Sequence, residues 1–333
     1  SFVETGSINY SVTTINTSFE KLGDNFTSDN YDIFLKNRPD ASARLAQDFE
    51  DENGIQLPEN GNYFEGYGPS QQQVVITSFV AAYSKRNVKS LPAQLINSFP
   101  GINWRLTYDG FMKSAWFRKY FKTFTISHAY SSTLTAGYLS NLDFGTGPGG
   151  LPNQNISGNF ISRENINAIT ISEQFSPLIN IDMQWKNSLI TKIEFGRDRT
   201  ISLNMTNLQV LEISGQSYVI GLGYRINNVK LPFKFGKKTI KSDLTLRGDL
   251  TIRNSFTVTH QEAENPTPQV ISQNNLTAGN RNVSIKIAAD YVISRRVNVR
   301  FFYDQQILTP LISTSFPTSN ISTGLSLRFT LSQ

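Results

Sequence analysis

The 333-residue chain has no cysteine, which excludes a disulfide framework, thiolate chemistry and cysteine-ligated metal together. It has only two histidines, His128 and His260, and neither has a His, Cys or carboxylate at a ligand spacing beside it. Both therefore read as strand histidines that make a hydrogen bond or face an interface. Charged residues are scarce at 17%, against ~25% in ordinary soluble domains. The hydrophobic share of 38% is also low, and Asn, Ser, Thr, Gln and Gly fill the difference. No run of about 18 apolar residues occurs, which excludes a transmembrane helix but not a membrane barrel, whose strands are only half apolar. The 31 basic and 26 acidic residues are interspersed, so no nucleic-acid stripe forms and no nucleic-acid partner is expected.

Catalytic motifs are also missing. The stretch "GTGPGG", 145–150, lacks the Lys-Ser/Thr and the helix that would make it a phosphate loop, and reads as an outer loop. "DFEDEN", 48–53, lacks the spacing of a calcium loop. No nucleophile, base and orienting group can be assembled, so the expectation is a non-enzyme without cofactor or metal. The chain starts at Ser1 with neither Met nor a leader, which suggests a processed protein or a piece of a longer one.

What the chain does have is alternation with a period of two, the mark of strands with one apolar face. In "NISTGLSLRFTL" Leu325, Leu327 and Phe329 share a parity, with Ser326 and Arg328 opposite. "VNVRFFYDQQ" sets Phe301 and Tyr303 against Arg300, and "NVSIKIAADYVI" sets Ile285, Ile287 and Tyr291 against Lys286 and Asp290. "DLTLRGDLTI" opposes Leu246 to Arg247, and "SYVIGLGYRI" opposes Tyr218 and Leu222 to Arg225. "INIDMQWKNSLITKIEF" opposes Trp185 to Lys186 and Lys192, with Ile190 as an exception.

Tight turns are expected at 176–178, 214–216, 253–254 and 294–296, long loops at 143–163, 228–240, 261–280 and 308–319, and an anomalous short link at 196–198. The result is about twelve strands, near 7–19, 102–109, 122–141, 164–175, 179–195, 199–213, 217–227, 241–252, 255–260, 281–293, 297–307 and 320–331. Residues 20–101 break the pattern. "RPDASARLAQDFEDENG" reads as a short helix with Pro39 in its first turn and Gly54 as its stop, "SQQQVVITSFVAAYSK" spaces Val75, Phe79 and Tyr83 by four, and "LPAQLINSF" again starts at a proline. Three regions follow: a barrel strand in 1–19, a partly helical insertion in 20–101 that would form a cap or lumen element, and antiparallel barrel strands in 102–333.

A sandwich and a barrel both alternate, but strands of 11 to 17 residues exceed the ~5–6 of soluble sheets and meet the ~9–11 that cross a bilayer at a tilt. The fold expected is all-β, an antiparallel transmembrane barrel wall with short periplasmic turns and long outer loops. Trp185, Tyr218, Leu222, Ile285, Ile287, Tyr291, Phe301, Tyr303, Leu325, Leu327 and Phe329 would face outer-membrane lipid. Lys186, Lys192, Arg225, Arg247, Lys286, Asp290, Arg300 and Arg328 would face a wet lumen. Arginine at Leu327 should then impair assembly far more than arginine at Ser326.

Several blocks carry a resemblance: "PGINWRLTYDGF", "TISHAYSSTLTAGYLSN", "SEQFSPLINIDMQWKNSL", "DRTISLNMTNLQVLEI" with "YVIGLGYRI", and "FYDQQILTPLISTSFPTSNISTGLSLRFTL". Over about residues 70–333 the chain resembles the C-terminal region of the SprA/Sov family, the outer-membrane translocon of the type 9 secretion system of Bacteroidota. The resemblance implies one arc of a giant 36-strand barrel that exports folded substrate proteins bearing a C-terminal signal, gliding adhesins among them. It implies as partners the rest of the SprA polypeptide, a PorV-like barrel, a periplasmic plug protein and the secreted substrates. The alternatives left open by the pattern are an autonomous outer-membrane porin or transporter of about twelve strands, closed by pairing of the first and last strands, and a water-soluble secreted adhesin.

Overall fold

The computed structural model describes residues 3–91, 101–235, 238–264, 266–267, 270–294, 297–312 and 315–330. Most of the chain forms one large antiparallel sheet: β1 (Thr5–Ser11), β4 (Trp104–Tyr108), β5 (Phe121–Ser140), β6 (Glu164–Trp185), β7 (Leu189–Asn204), β8 (Val210–Phe235), β9 (Lys238–Glu262), β10 (Ser272–Ser294), β11 (Val297–Pro310) and β12 (Thr318–Phe329). Among the described residues the sheet has ten strands, of which the eight from β5 to β12 form a meander. A two-stranded hairpin of β2 (Glu59–Asn60) and β3 (Tyr63–Phe64) lies outside it. Among the described residues there are also three α-helices: α1 (Asp29–Asn53), α2 (Gln72–Ser84) and α3 (Ala115–Tyr120).

The strands are longer than the alternation alone suggests, because most of the expected tight turns lie inside them. Residues 176–178 form a bulge within β6, 196–198 lie within β7, 214–216 within β8 and 253–254 within β9. The register sets these stretches side by side: Gly196 faces Ser217, Gln216 faces Asn254 and Ser217 faces Arg253. What reads as four turns is one polar row crossing four strands. Gly215 makes room in that row, since a Cβ there would sit 2.6 Å from an Asp198 oxygen and 2.7 Å from the Arg253 guanidinium. Asp198 and Arg253 pair at 2.9 Å across it.

The true hairpins fall at 186–188, where Ser188 takes φ +71°, between Phe235 and Lys238, and between Ser294 and Val297. The first is not among the expected turns, the second falls inside the expected long loop 228–240, which is instead mostly paired strand, and the expected turn at 294–296 falls on residues 295–296, outside the described ones. Connections at the opposite end, 141–163, 205–209, 263–271 and 311–317, are longer. One end of the meander therefore carries short links and the other long ones, with different turns from those expected.

The first edge strand is split. β1 pairs with residues 133–139 of β5 and β4 with residues 126–130, both antiparallel, so the two lie end to end along one edge. Between them the chain leaves the sheet after Ser11 and rejoins it at Trp104. The strand expected near 7–19 thus ends at Ser11, and a 3-10 turn follows at Ile15–Thr17. At the seam the Gly101 N–H donates to the Ser11 carbonyl at 2.8 Å. A Cβ on Gly101 would lie 2.4 Å from the Val12 carbonyl carbon, so the two backbones touch there.

Helix α1 begins ten residues before Pro39, which lies inside it rather than in its first turn. The Ser28 hydroxyl accepts from the Tyr31 N–H, Asp29 and Asp32 favour the first turn, and Tyr31, Phe34, Leu35 and Arg38 continue the buried stripe that Ala41 and Leu45 extend. Cap and stripe together outweigh the one hydrogen bond that proline removes. Gly54 ends the helix at φ +67°, as expected. Helix α2 carries Val75, Phe79 and Tyr83 as expected, and is buried on every side from Val74 to Ser84. The segment "LPAQLINSF" falls almost wholly on residues 92–100, outside the described residues.

Candidate functional site

Pairing across the strands sorts side chains onto two faces, because residues directly opposite in a ladder point the same way. One row runs Ile193, Ile220, Leu250, Ile285, Gln305, Ile321, and another runs Leu222, Gly248, Ile287, Tyr303, Thr323. Two further rows hold Tyr224, Leu246, Ala289, Phe301, Leu325 and Ile226, Leu244, Tyr291, Val299, Leu327. Trp185 packs on the same side, its ring 4.2 Å from Phe121, and Tyr218 and Phe329 share it. The residues named above as an apolar set are therefore on one face. Leu222, Ile287, Phe301, Leu325 and Leu327 are exposed there, whereas Tyr291 is buried and its hydroxyl donates to the Val229 carbonyl at 2.9 Å.

The opposite face carries Lys192, Arg225, Arg247, Lys286, Asp290, Arg300 and Arg328 among Ser, Thr, Asn and Gly. Among the described residues four ion pairs lie on it: Lys192–Glu194, Asp198–Arg253, Arg225–Asp243 and Asp290–Arg300. Lys186 departs from the set, since it sits in the turn between β6 and β7.

The apolar face has two halves. Towards the long connections it is covered: α1, α2 and Val12 pack on Leu134 and Ala136 of β5, Ile169 and Ile171 of β6, Ile201 and Leu203 of β7, and Val210 of β8. The helical excursion therefore lies on the face that alternation assigns to lipid, at one end of the strands, and not on the charged face where a lumen element would sit. The physical reason is in the sequence: the apolar parity continues upward without a break, so only that face offers the helices something to bury. Towards the tight turns the face is bare. The bare windows are Tyr218–Ile226, Leu244–Ile252, Val283–Tyr291 and Ile321–Phe329, each nine residues long, with Tyr291 the one residue on this face of them that is buried. At 3.3 Å per residue each covers roughly 30 Å, or roughly 23 Å of height at a ~40° tilt.

Beneath the cover lies a polar cluster that alternation alone did not single out. The Glu173 carboxylate accepts from the hydroxyls of Thr14 (2.6 Å), Ser18 (2.6 Å) and Tyr130 (2.9 Å). It also pairs with Arg199 at 3.2 Å, with side chains 2% and 4% exposed. Arg199 in turn donates to the carbonyl and hydroxyl of Thr17. One strand further, Glu212 stands 3.6 Å from His260 Nε2, and His260 Nδ1 meets Asn274 Oδ1. Tyr31 of α1 stacks on the His260 ring, centroids 5.5 Å apart. His260 is thus fully buried in an interface between helix and sheet, and His128 hydrogen-bonds the Leu178 carbonyl at 2.7 Å. The sequence did carry a signal: Glu173, Arg199 and Glu212 are charges on the apolar parity of three consecutive strands. Within the excursion, burial pushes the Tyr67 hydroxyl up to about 12 and holds Tyr83 protonated.

The outer ends of the cover are pinned as well. Arg38 pairs with Glu262 at 2.8 Å, Lys85 pairs with Glu20, and Asn159 of the 141–163 connection accepts from the Gly68 N–H at 2.9 Å. Such an arrangement clamps a helical cap; it places no nucleophile beside a base in an accessible cleft. The sheet itself stays open, since β12 pairs only with β11, and β1 and β4 only with β5, among the described residues. No known protein-family model matches the chain, and no curated protein matches it.

Proposed function

We infer that the chain is a section of the wall of an outer-membrane β-barrel, and that its family resemblance points to the translocon of type 9 secretion. The observation that carries the membrane reading is the set of four aligned nine-residue apolar windows within five neighbouring strands, backed by a polar reverse face. A soluble protein seldom leaves so wide an apolar surface bare, whereas a barrel wall presents a band ~25 Å tall to lipid. The polar face, lined by Ser, Thr and Gly with its charges mostly paired, suits a hydrated conduit that does not hold passing protein.

The open edges favour a section of a larger wall over a self-closed porin. Closing this sheet alone requires β12 to pair with the β1/β4 edge, and unpaired backbone groups cannot remain in hydrocarbon. Additional strands of a longer polypeptide would satisfy both edges. In this reading the helical cap stands beyond the bilayer on the outer side, where the wall meets secreted substrates, and a PorV-like barrel and a periplasmic plug are the proposed partners.

The deciding experiment is the intact mass, under denaturing conditions, of the native detergent-extracted polypeptide that yields this chain's peptides. A species several times heavier than 37.4 kDa supports the translocon wall. A 37.4 kDa species that forms a closed barrel would replace it with the porin, and extraction without detergent would replace both with a soluble protein.

A further inference from the structure

The bare apolar face ends, on its β4–β5 side, in a cluster of aromatic and basic residues. Residues 109–124 read "DGFMKSAWFRKYFKTF". A 3-10 turn at Gly110–Lys113 and the short helix α3 fold this stretch back onto the sheet before β5 begins. Phe117 packs against Phe124 (4.8 Å) and Phe111 (5.1 Å), and Phe121 meets Trp185 at 4.2 Å. The cluster is therefore continuous with the apolar face, at the level of its last rows. Trp116 and Tyr120 remain 59% and 42% exposed at its rim.

Around this rim Lys113, Arg118, Lys119 and Lys122 are all exposed, and Lys186 lies in the neighbouring turn, its N–H bonded to the Tyr120 carbonyl at 3.0 Å. None of the five pairs with an acid among the described residues, whereas on the polar face eight charges pair with one another. Asp109 is the one acid in the stretch. Aromatic rings at the edge of an apolar band, with unpaired cations beyond them, are the chemistry of a membrane interface carrying anionic headgroups.

We propose that residues 109–122 form an interfacial anchor that gathers anionic phospholipid headgroups at the tight-turn end of the wall, the periplasmic leaflet. This rests on the membrane reading given above. The aromatic cluster seats the anchor at a fixed depth, and the basic side chains reach outward to headgroup phosphates. Because the stretch sits where β4 ends and β5 begins, it also holds the split edge of the sheet at that depth. An acidic protein partner is the weaker occupant, since the aromatic cluster runs on into the lipid-facing rows rather than standing apart from them.

The test reconstitutes the native detergent-extracted polypeptide in vesicles containing phosphatidylglycerol or phosphatidylcholine, each photoreactive either at the headgroup or at the acyl tail. Crosslinked peptides are then mapped. The expected result is tail labelling of 320–329 in both lipids, with headgroup labelling of 109–122 at least about fivefold stronger from phosphatidylglycerol, the scale of one basic residue near an anionic surface. The K113Q/R118Q/K119Q/K122Q variant should lose that excess and keep the tail labelling. Tail labelling of 320–329 without a phosphatidylglycerol excess at 109–122 overturns the anchor and leaves the membrane reading standing. Absence of tail labelling overturns the membrane reading itself. Preferential labelling of 109–122 by a photoreactive lipid A phosphate would put the segment in the outer leaflet and overturn the assignment.

Discussion

The two halves of the apolar face are built on the same strands and differ in what they tolerate. The covered half admits Glu173, Arg199, Glu212 and His260, because the excursion brings Thr14, Thr17, Ser18 and Tyr31 to meet them. The bare half carries no charge in any of its nine-residue windows on the apolar parity. A protein cover can supply hydrogen-bond partners atom by atom, and hydrocarbon cannot. On the membrane reading proposed above, buried charge on a strand face thus marks where protein, not lipid, is the neighbour.

The largest expected effect tests the covered half. Arg199→Met leaves Glu173 buried and without its cation, a loss of about 3–5 kcal/mol, which should free the helical excursion to limited proteolysis while the pairing of β5 to β12 persists. Equal protease resistance in variant and parent would show that the cluster does not clamp the cap. Next comes the centre of the bare half, where Ile287→Arg should cost about 2–4 kcal/mol in assembly. Leu327→Arg, two rows nearer the tight turns, should cost less than Ile287→Arg but still far more than Ser326→Arg on the polar face, which should fall within about 0.5 kcal/mol. Heat-modifiable migration on gels reads all three, and a flat series across these positions would abolish the distinction between the faces. Between these in size, Gly101→Ala should cost about 1–3 kcal/mol by forcing the seam apart, visible as faster amide exchange in 5–11 and 104–108. Smallest is Ser28→Ala, about 1 kcal/mol from the lost cap of α1, seen as a lowered unfolding midpoint of the excursion alone.

Alternation alone disclosed the two faces, since every residue assigned by parity within the strands keeps its side in the register. It failed at the polar row. Ser176-Pro177, Gly196, Gly215 and Asn254 are turn residues by local chemistry, and only their alignment across four strands shows that the sheet passes through them. The helical cap was legible as non-strand, but its start was misplaced because Pro39 is a strong local cue and the Ser28 cap a weak one. Which face the cap covers depends on contacts between segments more than a hundred residues apart, such as Thr14 with Glu173, and nothing local encodes those.

The split edge has a consequence for the order in which the molecule comes together. From β5 to β12 every pairing joins consecutive strands, so the meander can grow hairpin by hairpin with short loops to close. β1 has no such neighbour: its partner Leu139 lies far along the chain from Thr5, and the whole excursion must fold between β1 and β4 before both can dock. The meander is then the early structure and the first edge the late one. A slow final phase, confined to residues 5–11 and the cap, is the kinetic signature of a strand cut in two.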